Sequence, residues 1–88
     1  MIEKVVTIQN KLGLHARPAS LIVQTAIKFK SEIFLCKGSQ VANGRSIMSV
    51  MMLAAEFGSQ ISLQARGEDE AAAIDALAKL IEDKFHET

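Results

Sequence analysis

Three stretches of this sequence can bury only one side of a helix, and four shorter stretches between them read as strands. Ala19, Ile22, Val23, Ala26 and Phe29 recur at i, i+3, i+4, i+7 and i+10, the spacing of an amphipathic helix. Ile74, Leu77, Ala78, Ile81 and Phe85 form a second such stripe. Its segment starts acidic, with Glu68-Asp69-Glu70, and carries Lys79 and Lys84 towards its end, in the sense the helix dipole favours. Between them Ser46 is a natural N-cap for a Met- and Ala-rich helix that opens at Ile47 and is expected to stop near Gly58 as its C′ residue. Ile2, Val6 and Ile8 share one face of a strand, with Glu3, Thr7 and Gln9 on the other. Glu32 to Lys37 and Gln40 to Asn43 can pair across the two-residue turn Gly38-Ser39. Ile61, Leu63 and Ala65 alternate with Ser62 and Gln64 as a fourth strand. A helix with one apolar stripe buries it against a single neighbouring layer. The order strand, helix, strand, strand, helix, strand, helix therefore predicts an α+β fold, a four-stranded antiparallel sheet with three helices on one face. Periodicity does not order the strands. The 88 residues suit one domain, 1–88.

Composition narrows the function. Lys plus Arg and Asp plus Glu each number 10, so no net charge draws the chain to nucleic acid or to an anionic membrane. There is no Trp or Tyr and there are four Phe, few platforms for stacked bases. No run approaches the roughly 20 apolar residues of a membrane span, and Met1 to Val6 lacks the apolar stretch of a signal peptide. A soluble, untargeted, cytoplasmic protein is expected. The single Cys36 has no internal disulfide partner and reads as a small buried hydrophobe. Two distant His and one Cys supply no metal set. Without a Gly-rich phosphate loop carrying a lysine, no nucleotide cofactor is expected. His86 falls in a tail expected to fray.

The chemistry concentrates in Gly13-Leu14-His15-Ala16-Arg17-Pro18-Ala19. Pro18 fits the first turn of a helix, where its missing N–H has no intrahelical partner to lose, so the helix should begin at about Ala16. His15 then stands at the helix entrance, beside free backbone N–H groups and the positive end of the dipole, a spot suited to an oxyanion. Neutral imidazole has a nucleophilic ring nitrogen near pH 7, with an ordinary pKa of about 6.5. Arg17 can spread its planar donors over a phosphoryl group in transit. A polar loop histidine next to a solvated helix arginine accounts for the same residues, and these arguments alone do not separate the two readings.

The whole chain resembles the HPr family, the histidine-containing phosphocarriers of the bacterial phosphoenolpyruvate–sugar phosphotransferase system. Gly13 to Ala19 is similar to that family's active-site segment. Asn43-Gly44-Arg45-Ser46-Ile47-Met48-Ser49-Val50-Met51-Met52-Leu53 is similar to its regulatory serine and second helix. Gly67-Glu68-Asp69-Glu70 before an Ala-rich helix is similar to its ending. The resemblance implies an open-faced β-sandwich with strand order 1-4-2-3. It implies that His15 accepts a phosphoryl group at Nδ1 from enzyme I and passes it to enzyme IIA domains, assisted by Arg17, so that the chain is a carrier and not a stand-alone enzyme. It implies that Ser46 is phosphorylated, in many bacteria by an ATP-dependent HPr kinase/phosphorylase. Many relatives have Ser or Asn where this chain has Leu12; a polar contact from that position is absent here.

Partner docking is expected from Leu14, Ile47, Met48 and Met51. The last three share one arc of the short helix, and Val50 and Leu53 are the better core candidates. An exposed Met patch adapts to several partners in turn. A monomer with transient contacts is expected. The alternatives are a regulatory binding module acting through Ser46, as in relatives that have lost the histidine, a carrier of a nitrogen-related branch, and a nucleic-acid- or ligand-binding domain. The presence of His15 disfavours the first, and the charge balance and scarce aromatics the last.

Overall fold

The computed structural model describes residues 1–87. In chain order its elements are β1 (Ile2–Thr7), α1 (Ala16–Ala26), β2 (Glu32–Lys37), β3 (Gln40–Asn43), α2 (Ile47–Met52), β4 (Gln60–Arg66), α3 (Glu70–Glu82) and a 3-10 turn over Lys84–His86. The strands form one antiparallel sheet in the order β1-β4-β2-β3. The expected α+β class, the antiparallel sheet and the 1-4-2-3 order are all present.

Strand alternation decides which face the helices cover. Val6 pairs with Ile61, Leu63 with Leu35 and Leu35 with Ala42, and all five side chains are buried. Ile22 and Ala26 of α1, Val50 of α2, and Ile74, Leu77 and Ile81 of α3 close over them to form the core. The opposite face stays open. There Val5 pairs with Ser62, Ser62 with Cys36 and Cys36 with Val41, one row across all four strands. Cys36 is thus half-buried on the open face, not a core residue as expected: its neighbours Ile33 and Leu35 take the inward positions. Burial and the nearby Glu3 carboxylate push its thiol pKa up.

Three element ends differ from expectation. Helix α1 opens at Ala16 as read, but stops at Ala26, so Phe29 packs against the core from the turn beyond it. Helix α2 ends at Met52, well short of Gly58. Ala54 turns to φ +50°, and the Lys37 ammonium donates to the Leu53 and Ala54 carbonyls at 3.3 Å each, satisfying acceptors that a longer helix would have bonded itself. Gly58 instead donates its N–H to the Ile8 carbonyl at 2.8 Å. Helix α3 ends at Glu82, which leaves Lys84 and Phe85 outside it.

The tail does not fray where the structure describes it. Lys84, Phe85 and His86 hold φ of +56°, +54° and +61°, a left-handed turn that costs about 1–2 kcal/mol per L-residue. The turn swings the Phe85 ring into the core, where it is fully buried, and burial of that ring offsets part of the cost. It also returns the chain to the start of α1.

Candidate functional site

His15 is the N-cap residue of α1, with extended backbone (φ −80°, ψ −171°) and no side-chain bond to the helix it caps. Its carbonyl accepts from the Ala19 N–H at 3.0 Å, the first turn of the helix. The N–H groups of Ala16 and Arg17 have no carbonyl inside the helix to bond, and Pro18 has no N–H at all. The ring therefore stands beside N–H groups that the helix itself leaves unsatisfied, with its side chain 36% exposed.

The loop before it is built from the backbone outward. The Asn10 side chain is buried, and its Nδ2 donates to the Gly13 carbonyl at 2.8 Å. Gly13 adopts φ +67°, and the next N–H, of Leu14, donates to the Ala55 carbonyl at 2.9 Å. Leu14 is 5% exposed and packs in the core. This corrects the expectation that it docks a partner: its side chain anchors the loop from beneath, because the Leu14–Ala55 bond turns it inward.

His15 and Arg17 are brought together as expected, and a residue that sequence reading missed lies between them. The Glu87 carboxylate accepts from His15 Nε2 at 3.0 Å through Oε2. The same oxygen accepts from the Arg17 guanidinium at 3.3 Å, and Oε1 accepts from Asn10 Nδ2 at 3.1 Å. Arg17 also donates to the Phe85 carbonyl at 3.0 Å. Burial works to raise the Glu87 carboxyl pKa, but the bonds from Asn10 and His15 and the charges of His15 and Arg17 outweigh it, and the group is held below the ordinary carboxylate value. Nothing in the spacing of the sequence signals a contact across 72 residues. Beside it opens a hollow of about 610 Å³ whose lining includes Lys11, Leu12, Arg17, Lys84 and His86. Leu12 is exposed on its rim. Among the described residues no group of His, Cys, Asp and Glu could hold a metal, and no helix is long and apolar enough to cross a membrane.

A second set of expected residues lies on α2. Ser46 caps it: the hydroxyl accepts from the Ser49 N–H at 3.2 Å, and its carbonyl accepts from the Val50 N–H at 3.1 Å. Ile47, Met48 and Met51 are 40, 69 and 37% exposed, while Val50 and Leu53 are buried. One side of the short helix therefore faces the core and the Met-rich arc faces outward, with α1 packed alongside.

Comparison with known proteins gives a consistent result. The family model of the PTS HPr component phosphorylation site matches residues 2–83. The phosphocarrier protein HPr of Treponema pallidum (strain Nichols) is 46% identical over 87 residues, 99% of this chain and 99% of that protein. The HPr-like protein Crh of Halalkalibacterium halodurans is 49% identical over 82 residues, 93% of this chain and 98% of that protein. The crystal structure of HPr-C-His from Thermoanaerobacter tengcongensis superposes with a TM-score of 0.96 at 50% identity, covering 100% of this chain and 99% of that one.

Proposed function

Because the chain belongs to the HPr family, the phosphocarriers of the phosphotransferase system, we propose that His15 is its phosphoryl acceptor, loaded by enzyme I and unloaded by enzyme IIA domains in sugar uptake. The observation that carries this reading is the placement of the His15 ring at the mouth of α1, with Arg17 close enough to share a carboxylate oxygen with it. The ring's Nε2 is engaged by Glu87, which leaves Nδ1 as the nitrogen with a free lone pair. In the transfer the Nδ1 pair attacks phosphorus, the bond from phosphorus to the donor group of enzyme I breaks, and its electron pair returns to that group. Arg17 and the N–H groups at the start of α1 face the three phosphoryl oxygens and stabilise their charge.

The test is incubation with phosphoenolpyruvate and enzyme I, followed by intact mass and by treatment with acid and base. An adduct of one phosphoryl group, lost in acid and kept in base, is the expected result. No adduct, or an acid-stable one, sinks the reading.

The Ile47, Met48 and Met51 arc is the docking surface in this proposal. Exposed large apolar side chains grouped on one helix face suit contact with several partners in turn. Met48→Glu should weaken enzyme I binding about tenfold or more, mainly through faster dissociation, since it places an unpaired charge in the contact. Its melting temperature should stay within a few degrees of wild type, because Met48 is exposed. A large stability loss with unchanged affinity would place Met48 in the core instead.

Ser46 is proposed as a regulatory phosphorylation site. Phosphate there adds about −1.5 to −2 charge at the end of the α2 dipole that favours it, so the helix is kept while the neighbouring arc becomes harder to desolvate. Ser46→Asp should lower the rate of His15 phosphorylation roughly tenfold, equivalent to ~1.4 kcal/mol of docking, with circular dichroism unchanged. If both Ser46→Asp and the serine-phosphorylated protein relay at the wild-type rate, Ser46 is only a cap.

A further inference from the structure

We infer that Glu87 is a positioning residue for His15: its carboxylate holds the Nε2 proton in place, presents Nδ1 as the nucleophile, and balances the positive charge that forms on the ring during transfer. The contact is with Nε2, at 3.0 Å. A carboxylate can only accept there, so the neutral ring carries its proton on Nε2 and its lone pair on Nδ1. When Nδ1 bonds phosphorus and Nε2 keeps its proton, no proton leaves and the ring becomes imidazolium-like. Glu87 stands against the atom that bears that N–H. A charge-assisted bond is stronger than a neutral one, so the contact strengthens as the N–P bond forms.

The carboxylate is itself held in register. Oε1 is fixed by Nδ2 of Asn10, a side chain 2% exposed and bonded to the Gly13 carbonyl. Arg17 fixes Oε2 and grips the Phe85 carbonyl two residues earlier. Phe85 is sunk in the core, and the strained left-handed turn at Lys84–His86 aims the next residue at the ring. Arg17 thus has two anions to serve. It can share Glu87 with His15 before transfer and meet the phosphoryl oxygens during it, while Asn10 and His15 still retain Glu87. The other basic side chains around the hollow, Lys11, Lys84 and His86, make no hydrogen bond to this carboxylate; among the described residues its donors are Asn10, His15 and Arg17.

Two measurements test the inference. With ring nitrogens labelled, at about pH 8.5, where an ordinary imidazole is neutral, the wild-type His15 should show one protonated-type resonance at Nε2 and one unprotonated-type resonance at Nδ1. In Glu87→Ala the two should move towards each other as the tautomers exchange. In Glu87→Gln, which keeps the shape and removes the charge, phosphoryl acceptance from enzyme I should slow about two- to fivefold, the worth of a partly exposed ionic contact. The change should appear in kcat with KM nearly constant, and the melting temperature should hardly move. Unchanged nitrogen resonances in Glu87→Ala, or an unchanged rate in Glu87→Gln, overturn the proposal. The rate arm rests on the phosphocarrier reading, whereas the resonance arm does not, so a wild-type protein that takes no phosphoryl group would count against that reading alone.

Discussion

His15→Ala should leave a folded protein that takes up no phosphoryl group from enzyme I. Among the described residues the ring is the only nucleophile at the mouth of α1, and Arg17 and the N–H groups of the first helical turn can stabilise a phosphoryl group but cannot bond it. The other imidazole, His86, lies across the left-handed turn, exposed and without a helix N-terminus behind it. His86→Ala should therefore label like wild type. The fold should survive the loss of the His15 ring, since the side chain is 36% exposed and its bond to Glu87 is a partly solvated one worth about 1 kcal/mol or less. Intact mass before and after acid treatment reads the adduct, and thermal melting reads the fold. Labelling of His15→Ala at the wild-type level, or loss of labelling in His86→Ala, would move the acceptor elsewhere.

The largest expected loss of stability at the site comes from adding one methyl group behind the histidine. Gly13 holds φ +67°, and a Cβ built there would stand 2.3 Å from the Ala55 carbonyl oxygen and 3.0 Å from Glu56 Cα. Both are backbone atoms, so no flexible side chain can swing away. The same Ala55 oxygen accepts the Leu14 N–H, and relief of the clash breaks that bond. Gly13→Ala should cost about 2–4 kcal/mol, from left-handed strain and overpacking together, and lower the melting temperature by roughly 10–25 °C in a chain of this size. Gly38 separates the two causes. It also sits at a left-handed φ, +58°, but nothing lies within 4 Å of its would-be Cβ, so Gly38→Ala should cost only about 1 kcal/mol. If the two variants melt together, the close approach at Ala55 is not what demands glycine at position 13.

What could be read from the sequence follows the range of the interactions involved. Pro18 and the stripe from Ala19 to Ala26 mark the start of α1 through local sterics and periodicity, so the position of His15 at a helix mouth was legible before any fold. Ser46 as a cap, Val50 as the inward residue of α2 and Leu53 as the buried residue at its end were legible for the same reason. Where α2 ends was not, because it depends on Lys37 reaching from β2 to the Leu53 and Ala54 carbonyls. The periodicity of Ile74 to Phe85 put Phe85 in the core correctly but on the wrong element. It is equally satisfied by a helix and by a turn that folds the ring back. Glu87 and Asn10 were invisible for a stronger reason. Each is an ordinary polar residue in its own neighbourhood, and only the return of the chain after α3 gives them a shared task. The side of Cys36 was a one-residue matter: strand pairing sends Ile33 and Leu35 inward, and alternation then turns Cys36 out.

The strand order carries a consequence for how the protein comes into being. β4 lies between β1 and β2, and the Glu3 carboxylate accepts from the Ser62 hydroxyl 59 residues later. During synthesis β1 leaves the ribosome first and has no neighbour until β4 follows. At about 5–20 residues per second, that wait is roughly 3–12 s. The β2–β3 hairpin can close meanwhile, but the sheet cannot be joined until its middle strand is made. The histidine is translated early, yet its loop leans on Ala55, its helix packs against α3, and its carboxylate partner is 72 residues away. A half-made chain therefore carries the proposed acceptor without its setting, and on that proposal it should accept no phosphoryl group until the residues through Glu87 have been translated.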